Sequence, residues 1–505
     1  MRLVPTTRKG TAIRFAFGAV TVIAFTATAT AVAGLLQFDQ FAKDLSLSKP
    51  IKNANVVVAN PGKPQTLLLI GSDHRAGEPF NASHTDTMML VRMDPNSSTI
   101  NVLSVPRDLK VEIPQGGAVS TSKLNAAYSV GGPNLLVKIL KQQVFHGLQV
   151  NHIVDVNFRG FSDLVDAIGC VYTDVDHRYY NDTSVTNYSS IDIQPGYQKL
   201  CGNNQSTSGA LAFVRFRHTD TDIVRNARQQ DFVRWAKSQF NGSTLVSQRD
   251  RLLQIFGKNS QTDPDLHTTD GLINIFNLVA FSAGHSIKQI KFPAVEDPCT
   301  PQSCYVSADR GPEQNAFDQF MRPTKAAPPK PAGPPKPSAH KPPPPSNANL
   351  FADVQGGKAQ VQALGNIAMP VYYPKLLATG SQYCSGSLGN CPAEISTTGS
   401  YPRNYLIHNR SGGTNVSYRM TVALNPDQGE YYGVQGTTWL NPPILTGTQQ
   451  EKTVDGKQLH EYFNGQKVTV VAWRTPQAVY WISNTLTDTL TNSQMLKIAA
   501  SLTSG

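Results

Sequence analysis

Apolar and polar positions along this chain follow two different periods. Three short apolar runs, TLLLIG (66–71), MMLVRM (88–93) and INVLSV (100–105), each end against polar residues, as buried strands do. Stretches 133–146 and 223–240 carry apolar residues at helical spacing instead. Strands interleaved with helices predict an α/β domain over 65–322. Residues 350–505 read differently, with strands at YLIHN (405–409), VSYRMTVAL (416–424), KVTVVAWR (467–474) and AVYWISN (478–484). They close on an amphipathic helix, Ser493–Leu502, whose apolar face is Met495, Leu496, Ile498, Ala499 and Leu502. This predicts a C-terminal α+β domain whose role the sequence leaves open. The intervening 323–349 places proline at nearly every second position with lysine between, and cannot build a core. An extended polyproline spacer of at most roughly 70 Å is expected there.

Residues 15–36 contain no charge and are long enough to cross a bilayer as a helix. Arg2, Arg8, Lys9 and Arg14 precede them; Asp39, Lys43 and Asp44 follow. This asymmetry predicts a cytoplasmic tail (1–14), a single-pass cell-membrane anchor (15–36), a stalk (37–64) and an extracytoplasmic remainder. A cleaved signal peptide ending near Ala31-Val32-Ala33 is the other reading, and both export the protein. Six cysteines suit an oxidising compartment. Cys299 with Cys304 and Cys384 with Cys391 are close neighbours, which leaves Cys170 with Cys201. Zinc is the alternative, but no pair has a zinc knuckle's spacing and no histidine accompanies them.

The formal charge of +10 invites nucleic acid, anionic lipid or a phosphorylated substrate. Part of it sits in the N-terminal tail and on Lys325, Lys330, Lys336 and Lys341 of the spacer. No module of interleaved basic and aromatic residues appears, so no nucleic-acid partner is expected. Candidate chemistry clusters at strand edges. LLLIGSDHR delivers Asp73 and Arg75 into a loop, Asp86 precedes the second apolar run, and Arg107 and Asp108 follow the third. Each alone reads as a turn residue or a surface ion pair. Together, carboxylates at strand ends can hold Mg²⁺, which prefers a few oxygens plus substrate phosphates. In ALAFVRFRHTDTDIVRNARQQ, a strand period would put Arg215 and Arg217 on one face, where guanidinium forks match phosphate oxygens. The next helix sets Asp222, Arg225 and Gln229 on one face with Arg228 adjacent; a solvated basic helix is the plain alternative.

These strings, with KLNAAYSVGG (123–132) and VDVNFRGFSDLVDAIGCV (154–171), resemble the LytR-CpsA-Psr catalytic domain over about 66–240, in order. The resemblance implies a central mixed sheet flanked by helices and a phosphotransferase attaching a polyprenyl-pyrophosphate-linked glycopolymer to peptidoglycan. It implies Mg²⁺ (or Mn²⁺) on Asp73 and Asp86, and a pyrophosphate clamp of Arg107, Arg215, Arg217 and Arg225 with Gln229 beside it. Asp222 is similar to an aspartate that orients an arginine or assists as a base; Asp108 would stand behind the site. Lys123, Asn125 and Tyr128 would be structural. His84 stands where the family commonly has arginine, so Arg75 fills that role or the donor meets one charge fewer. Cys170 stands where a second glycine often follows Gly169. Two other functions stay open: a polyprenyl-pyrophosphate pyrophosphatase using water, and a non-catalytic envelope protein that binds glycan or lipid. In the second domain, Trp439, Tyr431 and Tyr432 could stack on sugars or fill the core.

Overall fold

The computed structural model describes residues 50–52, 54–74, 83–181, 191–202, 209–216, 220–239, 249–282, 284–299, 304–324, 349–385, 391, 400–447 and 449–505. The expected tail, the anchor, stalk residues 37–49 and 53, and linker residues 325–348 lie outside the described residues, as do Arg75 and Arg217. No helix among the described residues is long and apolar enough to cross a membrane.

The three apolar runs form strands β1 (Gln65–Ser72), β2 (Thr85–Met93) and β3 (Thr99–Ser104). A hairpin of β4 (Lys110–Gln115) and β5 (Ala118–Lys123) leads into helix α1 (Leu124–Ile139). Then come β6 (His152–Asn157), α2 (Phe158–Ala167), β7 (Val171–Val175), β8 (Gly196–Leu200), α3 (Ala210–Arg215) and α4 (Asp222–Gln239). Strands β9 (Ser260–Thr262) and β10 (Ser286–Ile290) and helix α5 (Arg310–Met321) complete the elements that position the site. The central sheet runs β9-β6-β1-β2-β3-β10. It is mixed, because β1–β6 and β3–β10 are parallel while the other pairs are antiparallel. That is the α/β class expected. Its core joins Leu68, Ile70, Leu90 and Leu103 of the sheet to Leu136, Val137 and Leu140, and to Phe317 and Phe320 of α5.

Two local expectations need correction. The helix expected over 133–146 begins at Leu124, on the KLNAAY string, and breaks at Gly131 and Gly132. Gly132 has φ +62°, and Pro133 follows as the first residue of a restarted helical turn, where its missing N–H costs nothing. The apolar run carrying Arg215 is helix α3 and not a strand. Six residues with adjacent apolar positions fit either period, and the alanines favour the helix. The N–H of Ala210 also bonds the carbonyl of Cys201 at 2.7 Å, which ties the start of α3 to a disulfide.

All three expected disulfides form: Cys170–Cys201, Cys299–Cys304 and Cys384–Cys391. Cys170 has φ +68°, a left-handed backbone that glycine adopts freely, so the bridge occupies a position built for glycine.

The C-terminal half is richer in sheet than its pattern suggested. Strands β11 (Gln382–Tyr383), β12 (Arg403–His408), β13 (Thr414–Asn425), β14 (Glu430–Thr437), β15 (Gln449–Val454), β16 (Lys457–Asn464), β17 (Lys467–Arg474) and β18 (Val479–Ser483) make one eight-stranded antiparallel sheet. The closing helix α6 (Asn492–Ala500) starts with a capping box of Thr491 and Gln494. Tyr431 and Tyr432 are buried core residues, and Trp439 meets Tyr172 edge-on at 5.0 Å.

The two halves are not held apart by the proline-rich stretch. One hydrophobic cluster combines Tyr172 and Tyr197 of the first domain with Ile407, Ile444, Val479 and Trp481 of the second. The Tyr172 hydroxyl donates to the His408 carbonyl at 2.7 Å, and the Tyr197 hydroxyl accepts from the Ile444 N–H at 3.0 Å. Arg419 on β13 reaches Asp174 on β7, and both are buried.

Candidate active site

The candidate site sits at the end of the sheet where β1, β2 and β3 deliver their polar neighbours. Register sets Asp86. Gly71 pairs with Thr87 and Ser72 with Thr85, so Asp86 is the extra residue of a β-bulge. A bulge turns its residue out of the ladder, and here it aims a carboxylate at two arginines. A Cβ at Gly71 would lie 3.1 Å from the Thr87 Cβ, so a larger residue there would press on the Thr87 side chain.

Arg107, in the turn after β3, donates Nη1 to Asp86 Oδ1, and Arg215 at the end of α3 places Nε 3.1 Å from Asp86 Oδ2. Arg215 also lies over the Phe158 ring, its guanidinium carbon 3.9 Å from the centroid. Burial would raise the Asp86 carboxyl, but Arg225, Arg107 and Arg215 together hold it below the usual carboxylate range.

Behind this pair stands Asp222, the first residue of α4. Its Oδ2 accepts from the Arg107 backbone N–H at 3.1 Å and its Oδ1 from Arg225 Nη2. Asp222 and Arg225 are each only 1% exposed. Asp222 is thus occupied on both oxygens by the groups it orients. Asp108 is buried and pairs with Lys123 at 3.3 Å, while the Asn125 N–H bonds the Arg107 carbonyl at 3.0 Å. The KLNAAY string therefore braces the turn carrying Arg107. Its Tyr128 donates to Asp155 Oδ2 at 2.5 Å, and Ser72 donates to the same carboxyl at 2.7 Å. Burial lifts Asp155 to about 6 against these two hydrogen bonds.

Asp73 follows β1, is half-exposed, and accepts from the His84 backbone N–H at 2.5 Å. The His84 ring lies 3.7 Å from the other Asp73 oxygen and is largely exposed. Gln229 is buried and donates to the Val214 carbonyl at 3.1 Å, so its amide props α3 under Arg215. The structure thus brings Asp86, Arg107, Asp108, Arg215, Asp222 and Arg225 together. It sets Asp73 and His84 on the neighbouring strand end. Asp73 and Asp86 are hard oxygen donors at the paired ends of β1 and β2, the ligand type Mg²⁺ prefers.

Sequence reasoning missed a second charged cluster. Arg228 donates to Asp220 and to the Phe216 carbonyl, with its guanidinium carbon 4.7 Å from the Tyr179 centroid. His177 lies 3.3 Å from Asp176 and 3.5 Å from Asp220 and stacks on Tyr431 of the second domain at 4.3 Å. Burial alone would lower the His177 imidazole; the two carboxylates outweigh it and lift it to about 9. No local pattern flags this cluster, because Asp220, Arg228 and Tyr431 reach Asp176, His177 and Tyr179 only through tertiary packing.

The model of the LytR_cpsA_psr family matches residues 30–317. The chain belongs to the LytR-CpsA-Psr family. Its similarity to a polyisoprenyl-teichoic acid–peptidoglycan teichoic acid transferase, TagU, from Oceanobacillus iheyensis is 29% identity over 247 residues. That alignment covers 46% of this chain and 71% of the relative. TagV of Bacillus subtilis, bearing the same enzyme description, is 28% identical over 43% of this chain and 54% of its own length. The crystal structure of B. subtilis TagV aligns with a TM-score of 0.40 and 23% identity over 52% of this chain and 97% of that chain. The LytR-CpsA-Psr match ends before the proline-rich stretch, so the C-terminal sheet lies outside it.

Proposed function

We propose that this protein is a phosphotransferase that moves a glycopolymer from a polyprenyl-pyrophosphate carrier to peptidoglycan. The observation that carries the reading is the bracket of Arg107 and Arg215 on Asp86, with Asp222 and Arg225 fixed behind it. Guanidiniums arranged in this way offer paired N–H donors to a diphosphate. Diphosphate oxygens would compete with the Asp86 carboxylate for both arginines, so the ion pairs hold the cations in place before the donor arrives.

In the reaction, an acceptor hydroxyl attacks the glycan-bearing phosphorus and gives up its proton to water. The phosphoanhydride bond breaks and polyprenyl phosphate leaves with the bonding electrons. Arg107 and Arg215 spread the charge that builds on the transferred group and on the leaving phosphate. Asp222 is a positioning residue, since its oxygens hold the Arg107 backbone and the Arg225 side chain. A hydroxyl nucleophile in a loose transition state needs little help from a base. Mg²⁺ held by Asp73 and Asp86 would neutralise charge on the diphosphate oxygens. A protein exported through residues 15–36 and anchored there would meet a lipid-linked donor at the outer membrane surface.

The test incubates the full chain with a polyprenyl-pyrophosphate glycan, with and without peptidoglycan and with Mg²⁺ or a chelator. Transfer that requires peptidoglycan and Mg²⁺ is expected. Release of glycan phosphate at equal rates without acceptor would replace the reading with pyrophosphate hydrolysis.

A further inference from the structure

Arg215 ends α3 between two carbonyls that α4 holds. Gln229 donates to the Val214 carbonyl at 3.1 Å, and Arg228, the residue before it, donates to the Phe216 carbonyl. The backbone on either side of Arg215 is fixed by consecutive residues of one helix. Arg228 is 0% exposed, and a guanidinium that far from water requires a counter-ion. That counter-ion is Asp220, two residues before Asp222, which accepts from Arg228 Nη1. One buried arginine thus ties Asp220 to the carbonyl that follows Arg215.

Asp220 faces a second cation. His177, in the turn after β7, sets Nε2 3.5 Å from Asp220 Oδ1 and Nδ1 3.3 Å from Asp176 Oδ1. Against the loss of solvent, these two carboxylates keep the imidazole protonated near neutral pH. His177 and Arg228 then meet Asp176 and Asp220 as a buried quartet whose charges sum to zero. Without the imidazolium, one carboxylate would remain uncompensated out of reach of water. A shift of Asp220 toward solvent would carry Arg228 with it and release the Phe216 carbonyl.

The second domain seals this quartet. Tyr431 on β14 stacks on His177, with ring centroids 4.3 Å apart and planes inclined by 28°. A charged imidazole against a tyrosine face is a cation–π contact, strongest where water is excluded. Gly429, just before β14, lies so close that a Cβ there would come 2.9 Å from Asp220 Oδ1. Its φ is +71°, so a side chain at 429 would strain the backbone as well as press on the carboxylate. The C-terminal domain therefore abuts both His177 and Asp220, although it lies outside the region that matches the family.

We propose that His177 is a positioning residue for Arg215, and that Tyr431 of the C-terminal domain completes its setting. Through Asp220 and Arg228, the two rings hold the backbone from which Arg215 reaches Asp86. This rests on the transferase reading above and gives the second domain a part in it. The test titrates the full chain calorimetrically with inorganic pyrophosphate in the presence of Mg²⁺, which requires no turnover. His177→Gln and Tyr431→Leu should each weaken binding about tenfold, because a displaced guanidinium loses its paired contacts. Tyr431→Phe keeps the ring and should bind within about twofold of wild type. Arg215→Ala should weaken binding by itself, and adding Tyr431→Leu to it should cost no more than about twofold further. Should His177→Gln fail to fold, Tyr431→Leu decides, since it leaves all four charges in place. Equal losses from Tyr431→Leu in both backgrounds, wild-type affinity in a folded Tyr431→Leu, or no pyrophosphate binding by the wild type overturns the inference. Failure of the transferase reading would show separately, as no cleavage of a lipid-linked donor under any condition, while the titrations still decide the positioning role.

Discussion

Arg419 and Asp174 meet at 2.9 Å across the boundary between the two domains, with side chains 0% and 5% exposed. Arg419 also donates to Ser483 at 3.1 Å. The pair therefore couples the second sheet to β7 of the first domain at a place water does not reach. Replacing Arg419 with alanine should lower stability by about 3–5 kcal/mol, because it strands a buried carboxylate. Denaturant melts of the full chain check this, and an Arg419→Ala midpoint equal to wild type would show the pair to be energetically neutral.

The His177 cluster predicts a pH dependence of stability. Its imidazole titrates near 6.5 when unfolded and at about 9 when folded. A folded-state value above the unfolded one favours folding while the group is charged. That contribution is complete below about 6.5 and is lost as pH rises through about 9. Thermal midpoints measured from pH 6 to 10 should fall across this window, and His177→Asn should flatten the slope.

Arg107→Ala should reduce transfer about 100- to 1,000-fold, the usual cost of losing a positioned donor to developing charge. Asp86→Asn keeps the shape but removes the negative charge that holds Arg107 and Arg215, and should also abolish most turnover. Both variants should keep the wild-type circular dichroism spectrum. Wild-type rates in either would remove the arginine bracket from the mechanism.

Tyr128→Phe tests the bracing of the site from below. It deletes the hydroxyl that bonds Asp155 at 2.5 Å in a fully buried setting. A stability loss of about 1–3 kcal/mol is expected. Asp155 should titrate higher in the variant, since a hydrogen bond that favours its charged form is gone. Carboxyl titration by NMR reads that shift directly, and an unchanged Asp155 would mean the hydroxyl does not support the charge.

The strands were legible because β1, β2 and β3 carry short apolar runs bounded by polar residues. The one-face arrangement of Asp222 and Arg225 was also legible, since helical spacing is local. Helix α3 was not, because ALAFVR satisfies two periods and tertiary ties decide between them. The bulge that aims Asp86 depends on pairing register, which Gly71 and Ser72 share with β2 and which no single strand reveals. The merging of the two domains was hidden for another reason. Tyr172, Tyr197 and Trp481 are each ordinary core residues in their own strands, and nothing local says they face one another.

That shared aromatic cluster has a consequence for the proline-rich stretch between Thr324 and Asn349. The covalent connection there contributes mainly effective concentration, because the halves already bury side chains against each other. A chain severed between 324 and 349 should therefore persist as a tight two-fragment complex, co-eluting on gel filtration. Each fragment made alone would expose an aromatic face and tend to self-associate.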